Sequence, residues 1–591
     1  MDRQSILGFI LIFVMLMVWM YYNAPPTTQP HAQGQAKIQD TLKAPSQPTT
    51  QPARQEKQTN PFGKFFTARA QGKERIITVE TDLYTAQISA KGATVLRWEL
   101  KRHKTWDGHP LQLVDYEKNG DLSLLFTTSD GRLVNTHDLY FDADVTTDYV
   151  KIENNFEFKI KFTLPSYGEG RIVRYFTFRN GEYGFETGVT LQNLGNVIAN
   201  FEYQLVWESG IRYAERNSVD ESGFAAAYAY AGKELTEIDA PKVGEHVQRD
   251  VSGAVEWVAT RNKYFALAIM PQSPASDGAF LEGNRKAMPN QGALETYGVA
   301  IKVPFKGASE ENSTFKVYLG PLDHSLLKAY NNGLEGIMSL GWAWVIRPIA
   351  EYAFLPVLGA IHYVLPNWGL VIIMFSVLIK VALHPLSKSS MKSMKRMQAL
   401  QPMMEEIKAK HKDDPQKMNQ GVMNLYKEYG VNPAGGCLPI LLQMPILYAL
   451  YAVFRAHIDL RQANFVWWIT DLSIPDTIVR LPFQIPLFSV NDISGIALLM
   501  GITMFVQQKM TVKDPRQKMM VWLMPIMLTL VFNSLPAGLN LYYAVFNILS
   551  IAQQVLINKQ HDNEPLRKVE PKKRRGGIFG KFPDELRKLK K

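Results

Sequence analysis

Lys380 is the residue whose position most calls for a chemical explanation. It lies in the apolar run from Trp368 to Leu386 and is the only Lys, Arg, Asp or Glu there. The run ends six residues later, about 9 Å along a helix rising 1.5 Å per residue. Ser376, Lys380, His384 and Ser387 are spaced at +4, +8 and +11, so at 100° per residue they share about 80° of arc on one helix face. A lysine at this depth can snorkel to the interface along its own stem. Set in a polar stripe on an otherwise apolar helix, it instead faces protein or water, where a lone ammonium group attracts anions.

Other apolar runs carry matching polar faces. The last holds Asn540, Tyr543, Asn547, Ser550 and Gln554 along one side. Thr529 and Asn533 lie at i, i+4 in the run before it, Thr503 and Gln507 in the one before that, and Gln443 at mid-depth in an earlier one. Such residues also serve as interhelical glue. Taken with the cation, they predict a hydrated groove within a membrane, lined by Lys380, Ser376, Tyr543, Gln443, Thr503 and Asn547. A cation-coupled transporter needs an intramembrane carboxylate, and no Asp or Glu lies well inside these runs.

These side chains need a scaffold of spans. Ile6 to Tyr22 is nearly all apolar, ends in an aromatic pair, and shows no small-x-small cleavage site and no following cysteine. Residues 1–23 therefore predict an uncleaved transmembrane signal-anchor. Residues 24–72, rich in Gln, Pro, Thr and Ala, predict a disordered tether. Residues 73–335 alternate in strand fashion, as in Phe156-Glu-Phe-Lys-Ile-Lys-Phe, and predict a large β-sandwich. Residues 336–366 are apolar but contain Arg347, Glu351, Pro348 and Pro356, and predict an amphipathic helix in the outer interface. Transmembrane helices are expected at 367–386, 433–456, 490–508, 519–535 and 539–558. They are joined by a cytoplasmic helical hairpin at 387–432, an outer hairpin at 457–489 and a cytoplasmic loop at 509–518. A basic tail occupies 559–591. The fold class is a polytopic α-helical membrane protein of six transmembrane helices, five of them a core bundle, with a periplasmic β-sandwich.

Charge sets the orientation. Lys388 to Lys427 holds nine Lys or Arg, Lys509 to Lys518 four, and the tail twelve against five acids. Six spans put all three on the cytoplasmic side with both termini, and residues 24–340 outside, as the positive-inside tendency requires. A tail with Lys572, Lys573, Arg574 and Arg575 suits anionic lipids or RNA. In the loop, Met391, Met394, Met397 and Met404 lie on an apolar stripe. The stripe reads as the seam of a helical hairpin and also as an adaptable surface for varied apolar sequences. Cys437 is the single cysteine, so no disulfide forms within the chain, and its apolar setting reads as packing rather than chemistry.

The stretch Asn432-Pro433-Ala434-Gly435-Gly436-Cys437-Leu438-Pro439-Ile440-Leu441-Leu442-Gln443-Met444-Pro445-Ile446 closely resembles the signature of YidC-type membrane protein insertases, a family that includes the mitochondrial Oxa and chloroplast Alb proteins. Asn367-Trp368-Gly369, His384-Pro385-Leu386, Leu460-Arg461-Gln462-Ala463, Gly501-Ile502-Thr503-Met504 and Leu535-Pro536-Ala537-Gly538 agree. The anchor, tether and β domain look like the Gram-negative branch.

The resemblance implies a bacterial inner-membrane insertase and folding chaperone. It would act on nascent membrane proteins, alone or beside Sec translocon components, with the ribosome and anionic lipids as tail contacts. Neither DNA, nor a cofactor, nor a metal, nor catalytic residues are expected. Lys380 falls where the family typically has arginine; lysine keeps the charge but loses the bidentate fork. Ser376 and Tyr543 match family positions that contact substrate. The β domain is similar to sugar-mutarotase-like folds, which does not carry function across. A transporter and a membrane-tethered sugar-binding or sugar-converting domain are the rival classes. The polar faces and the long motif weigh against both.

Overall fold

The computed structural model describes residues 61–118, 120–154, 156–412, 414–431, 438–485, 490–511, 518–560 and 568. The signal-anchor, most of the tether, much of the long motif and Lys572 to Arg575 lie outside these. The chain divides into two compact units meeting between Ser339 and Leu340.

The first unit is built of sheets of five, nine and six strands. Alternating sequence buries one face of most strands; Glu157–Pro165, for example, sinks Ile160, Phe162 and Leu164. Strands of the nine-stranded sheet pack on those of the six-stranded one, giving a sandwich. Its core contains Trp98, Trp207 and Trp257, all fully buried. The folded domain begins before residue 73: Gly63–Phe66 is helical, and Phe66 is buried with its ring 5.7 Å from that of Phe126. The phenylalanines at 62, 65 and 66 supply apolar area that the rest of the tether lacks.

The second unit is helical. Its first segment runs through Ile346–Ile349, a π turn at Ala350–Phe354 and Leu355–Val364. Pro356 offers no amide to the carbonyl of Tyr352 and crowds that turn, which widens to π geometry. Among the described residues eight helices of ten residues or more follow: α1 (Trp368–Ala382), α2 (His384–Ala399), α3 (Gln401–Lys410), α4 (Pro415–Glu428), α5 (Leu438–Ala456), α6 (Gly495–Thr511), α7 (Lys518–Phe532) and α8 (Ala537–Gln560).

Asn367 caps α1 by accepting from Leu370 N at 3.1 Å. The chain bends by 63° between α1 and α2. Pro385 stands in the first turn of α2, where its missing N–H ends the α1 ladder. Among the described residues, the stretch Ala537–Lys559 of α8 alone is long and apolar enough to cross a membrane, with the bent pair α1–α2 a second candidate. α8 packs on α1, α2, α5 and α6, and so occupies the middle of the unit.

Candidate functional site

α8 brings the polar faces together. Lys380, on α1, is buried and its Nζ donates to Ser550 Oγ on α8 at 2.6 Å. The ammonium also lies 4.7 Å from the centroid of the Phe546 ring, one helical turn away on the same helix, where the π face favours a cation. No carboxylate pairs with Lys380 among the described residues. Ser376, one turn back on α1, is fully buried and returns its hydroxyl to Ile372 O at 2.7 Å. Farther round α8, Asn547 Nδ2 donates to Thr503 Oγ1 on α6 at 3.4 Å. Thr503 in turn donates to Met500 O at 2.8 Å.

The other residues expected in the groove stand apart. Tyr543 packs its ring 5.2 Å from those of Phe532 and Tyr542. Gln443 is half-buried on α5. Neither shares a described hydrogen bond with Lys380. The stripe from Ser376 to Ser387 is not one straight face, because the bend at Leu383 carries His384 and Ser387 onto α2. His384 nevertheless meets α8: its Nδ1 lies 3.2 Å from Gln553 Nε2. Asn540 serves structure, its Nδ2 donating to Phe532 O at 3.0 Å across the turn between α7 and α8.

Sequence reasoning overlooked three partners. Phe546 and Gln553 fall on the face of α8 that meets α1 and α2, and only the packing of those helices reveals them. Asp476 is the third. This buried carboxylate accepts from Ile496 N and Trp468 Nε1, both at 2.9 Å, and bonds Ser494 Oγ. It ties the loop that follows α5 to the start of α6, and its partners are too distant in sequence to suggest it.

The methionine stripe is mainly seam. Met404 is buried with Leu400, Leu425 and Val431, and Met397 packs against that cluster. Tyr426 Oη donates to Met404 Sδ at 3.0 Å. Met391 and Met394 are half-buried. Lys395 on α2 donates to Asn558 O near the end of α8 at 2.9 Å, where a cation suits the helix dipole. Among the described residues no group of three or more His, Cys, Asp or Glu could hold a metal ion.

Residues 76–351 match the family described as YidC periplasmic domain, and residues 360–564 the family described as 60Kd inner membrane protein. A membrane protein insertase YidC of Chlorobium phaeovibrioides is 41% identical over 566 residues, covering 94% of this chain and 95% of its own length. The insertase of the same name from Chlorobaculum parvum is 39% identical over 575 residues, covering 95% and 96%. A crystal structure of an active YidC insertase aligns over 83% of this chain and 93% of its own, with 18% identity and a TM-score of 0.35. With both regions matched in order and identity near two residues in five along almost the whole length, this chain belongs to the YidC family of membrane protein insertases.

Proposed function

We propose that this inner-membrane protein inserts hydrophobic segments of newly made membrane proteins through a polar groove centred on Lys380, alone or with the Sec translocon. The observation that carries this reading is a buried ammonium group held by Ser550 and Phe546, with no carboxylate to neutralise it among the described residues. Membrane insertion must move a short polar tail through about 30 Å of hydrocarbon. Polar faces on α1, α6 and α8 shorten the dry path. Lys380 leaves Ser550 to pair with an acidic group on the entering tail. The apolar segment then passes sideways into lipid, favoured by roughly 25 cal/mol for each Å² removed from water. Six spans with both termini in the cytoplasm, and tail contacts with the ribosome or anionic lipids, complete the proposal.

The test is insertion of a single-span substrate with an acidic tail into liposomes containing only this purified protein, read by protease protection of the tail. Lys380→Arg retains insertion. Lys380→Glu lowers it by about tenfold or more, since one buried charge–charge contact is worth over 1.4 kcal/mol. Equal insertion by wild type and Lys380→Glu removes the lysine from the mechanism.

A further inference from the structure

Just before α6 lies a two-stranded β-ribbon whose first strand is largely exposed among the described residues. Thr477–Ile485 pairs antiparallel with Val490–Ser494. Arg480 faces Asp492 across the pair, with an ion pair at 3.4 Å. Val479 pairs with Ile493 in the neighbouring position, so it points to the opposite face. Val479 and Phe483 are 51% and 61% exposed, and Leu481 and Ile485 are only half-buried. A two-stranded ribbon is marginal in water without a covered apolar face, and this one presents that face openly.

Its base, by contrast, is firmly held. Asp476 bonds Ser494, Ile496 and Trp468. Asn533 at the end of α7 accepts from Ser494 N at 2.8 Å and donates to Asp492 O at 2.5 Å. The hairpin is therefore an extension of the outer end of α6 and α7 rather than a loose loop. The second strand runs directly into α6, on which Leu498, Leu499 and Ile502 are exposed, and the preceding loop carries the stacked, exposed pair Trp467 and Trp468. Trp468 packs beside Gly495 and Ile478: a side chain at Gly495 would come within 2.9 Å of its ring and 3.1 Å of Ile478 Cγ2. Trp467 takes a left-handed backbone with φ of 54°, unusual for a bulky residue, and this turns its indole outward.

We infer that the hairpin lies in the outer leaflet at the boundary of head groups and acyl chains, with the exposed side chains of Val479 and Phe483 on lipid. The exposed apolar residues of α6 face acyl chains in that setting, and the second strand of the hairpin leads straight into this helix. Tryptophan pairs concentrate at this depth, and an amphipathic element with few charges binds there through its apolar area. The occupant is phospholipid. The inference rests on the helical unit standing in the bilayer with the start of α6 outward, as proposed above.

The test places a nitrobenzoxadiazole label at Phe483→Cys, and separately at Val479→Cys, in full-length protein with Cys437→Ser. Lys73→Cys in the β domain, exposed to solvent, is the water reference. The proteins are reconstituted in vesicles of phosphatidylethanolamine and phosphatidylglycerol carrying nitroxide lipids in both leaflets. Both hairpin labels are expected to be quenched more strongly by a shallow nitroxide than by one at the bilayer centre, and about threefold less by iodide than the reference. Iodide quenching equal to the reference, with no lipid quenching, overturns the inference. Protection from both quenchers also overturns it, because protein then covers the face. Quenchers in both leaflets report immersion whichever way the unit faces, so a wrong orientation does not imitate failure. Each labelled residue is at least half exposed, so a misfolded variant, seen by gel filtration at one site, leaves the other to decide.

Discussion

At the scale of single residues, Lys380 and Asp476 are buried charges held by uncharged partners. Ser550 is one hydrogen bond from Lys380, and a typical bond to a charged group is worth about 1.5–3 kcal/mol. Ser550→Ala is expected to lower thermal stability in detergent while leaving insertion of an acidic-tailed substrate near wild type, because the charge remains. Asp476→Ala is more damaging. It leaves Ile496 N–H, Trp468 Nε1–H and Ser494 Oγ without their acceptor, at a cost of about 3 kcal/mol, read as a fall in melting temperature. The two sites also differ in how visible they were beforehand. Lys380 stands out as a charge in an apolar run, whereas Asp476 reads as an ordinary loop acid. Its partners are 8, 18 and 20 residues away, and only the folded outer loop brings them together.

At the scale of elements, close helix packing rests on small residues. A side chain at Gly501 on α6 would stand 2.0 Å from Thr529 Oγ1 on α7. That hydroxyl is committed to Pro525 O at 2.7 Å. Gly501→Ala therefore destabilises by about 1–3 kcal/mol, and Thr529→Ala in the same chain restores part of the loss; a double-mutant cycle on melting temperatures measures the coupling. Hydropathy located the helices but not their ends. It gave a run beginning at 490, while residues up to Ser494 are paired in a strand and α6 starts at Gly495. Alternation over so few residues is masked by the apolar sequence on both sides. The bend after Ala382 was signalled by Pro385, yet the angular arithmetic for His384 and Ser387 assumed a straight helix.

For the whole molecule, a chain with one cysteine relies on its cores and buried polar groups. In the β domain burial pushes three carboxyl groups up. Asp121 rises to about 6, Glu221 to about 8 and Glu295 to about 7, against an unfolded value of about 4. Each folded carboxyl holds its proton more tightly than the unfolded one. Stability is therefore fully present below the unfolded value and falls as pH rises toward the folded values. Calorimetry of the protein in detergent between pH 5 and 8 should show the β-domain transition falling as pH rises, most steeply below about pH 6, where all three folded carboxyls still hold a proton that the unfolded chain has lost. A melting temperature that rises over that interval contradicts this assignment. The alternation of the sequence revealed a sheet-rich domain; its buried acids, set by which loops close over them, were not legible.

The central place of α8 has a consequence for how this protein is itself made. Synthesis runs from the N-terminus, so the helix that touches α1, α2, α5 and α6 is the last of the described helices to emerge. Until it does, Lys380 lacks Ser550 and Thr503 lacks Asn547. With the helical unit standing in the bilayer as proposed, the half-built bundle waits there with its polar faces turned toward one another or toward water. Of the described helices the last, α8, thus closes the assembly that the earlier ones can only begin.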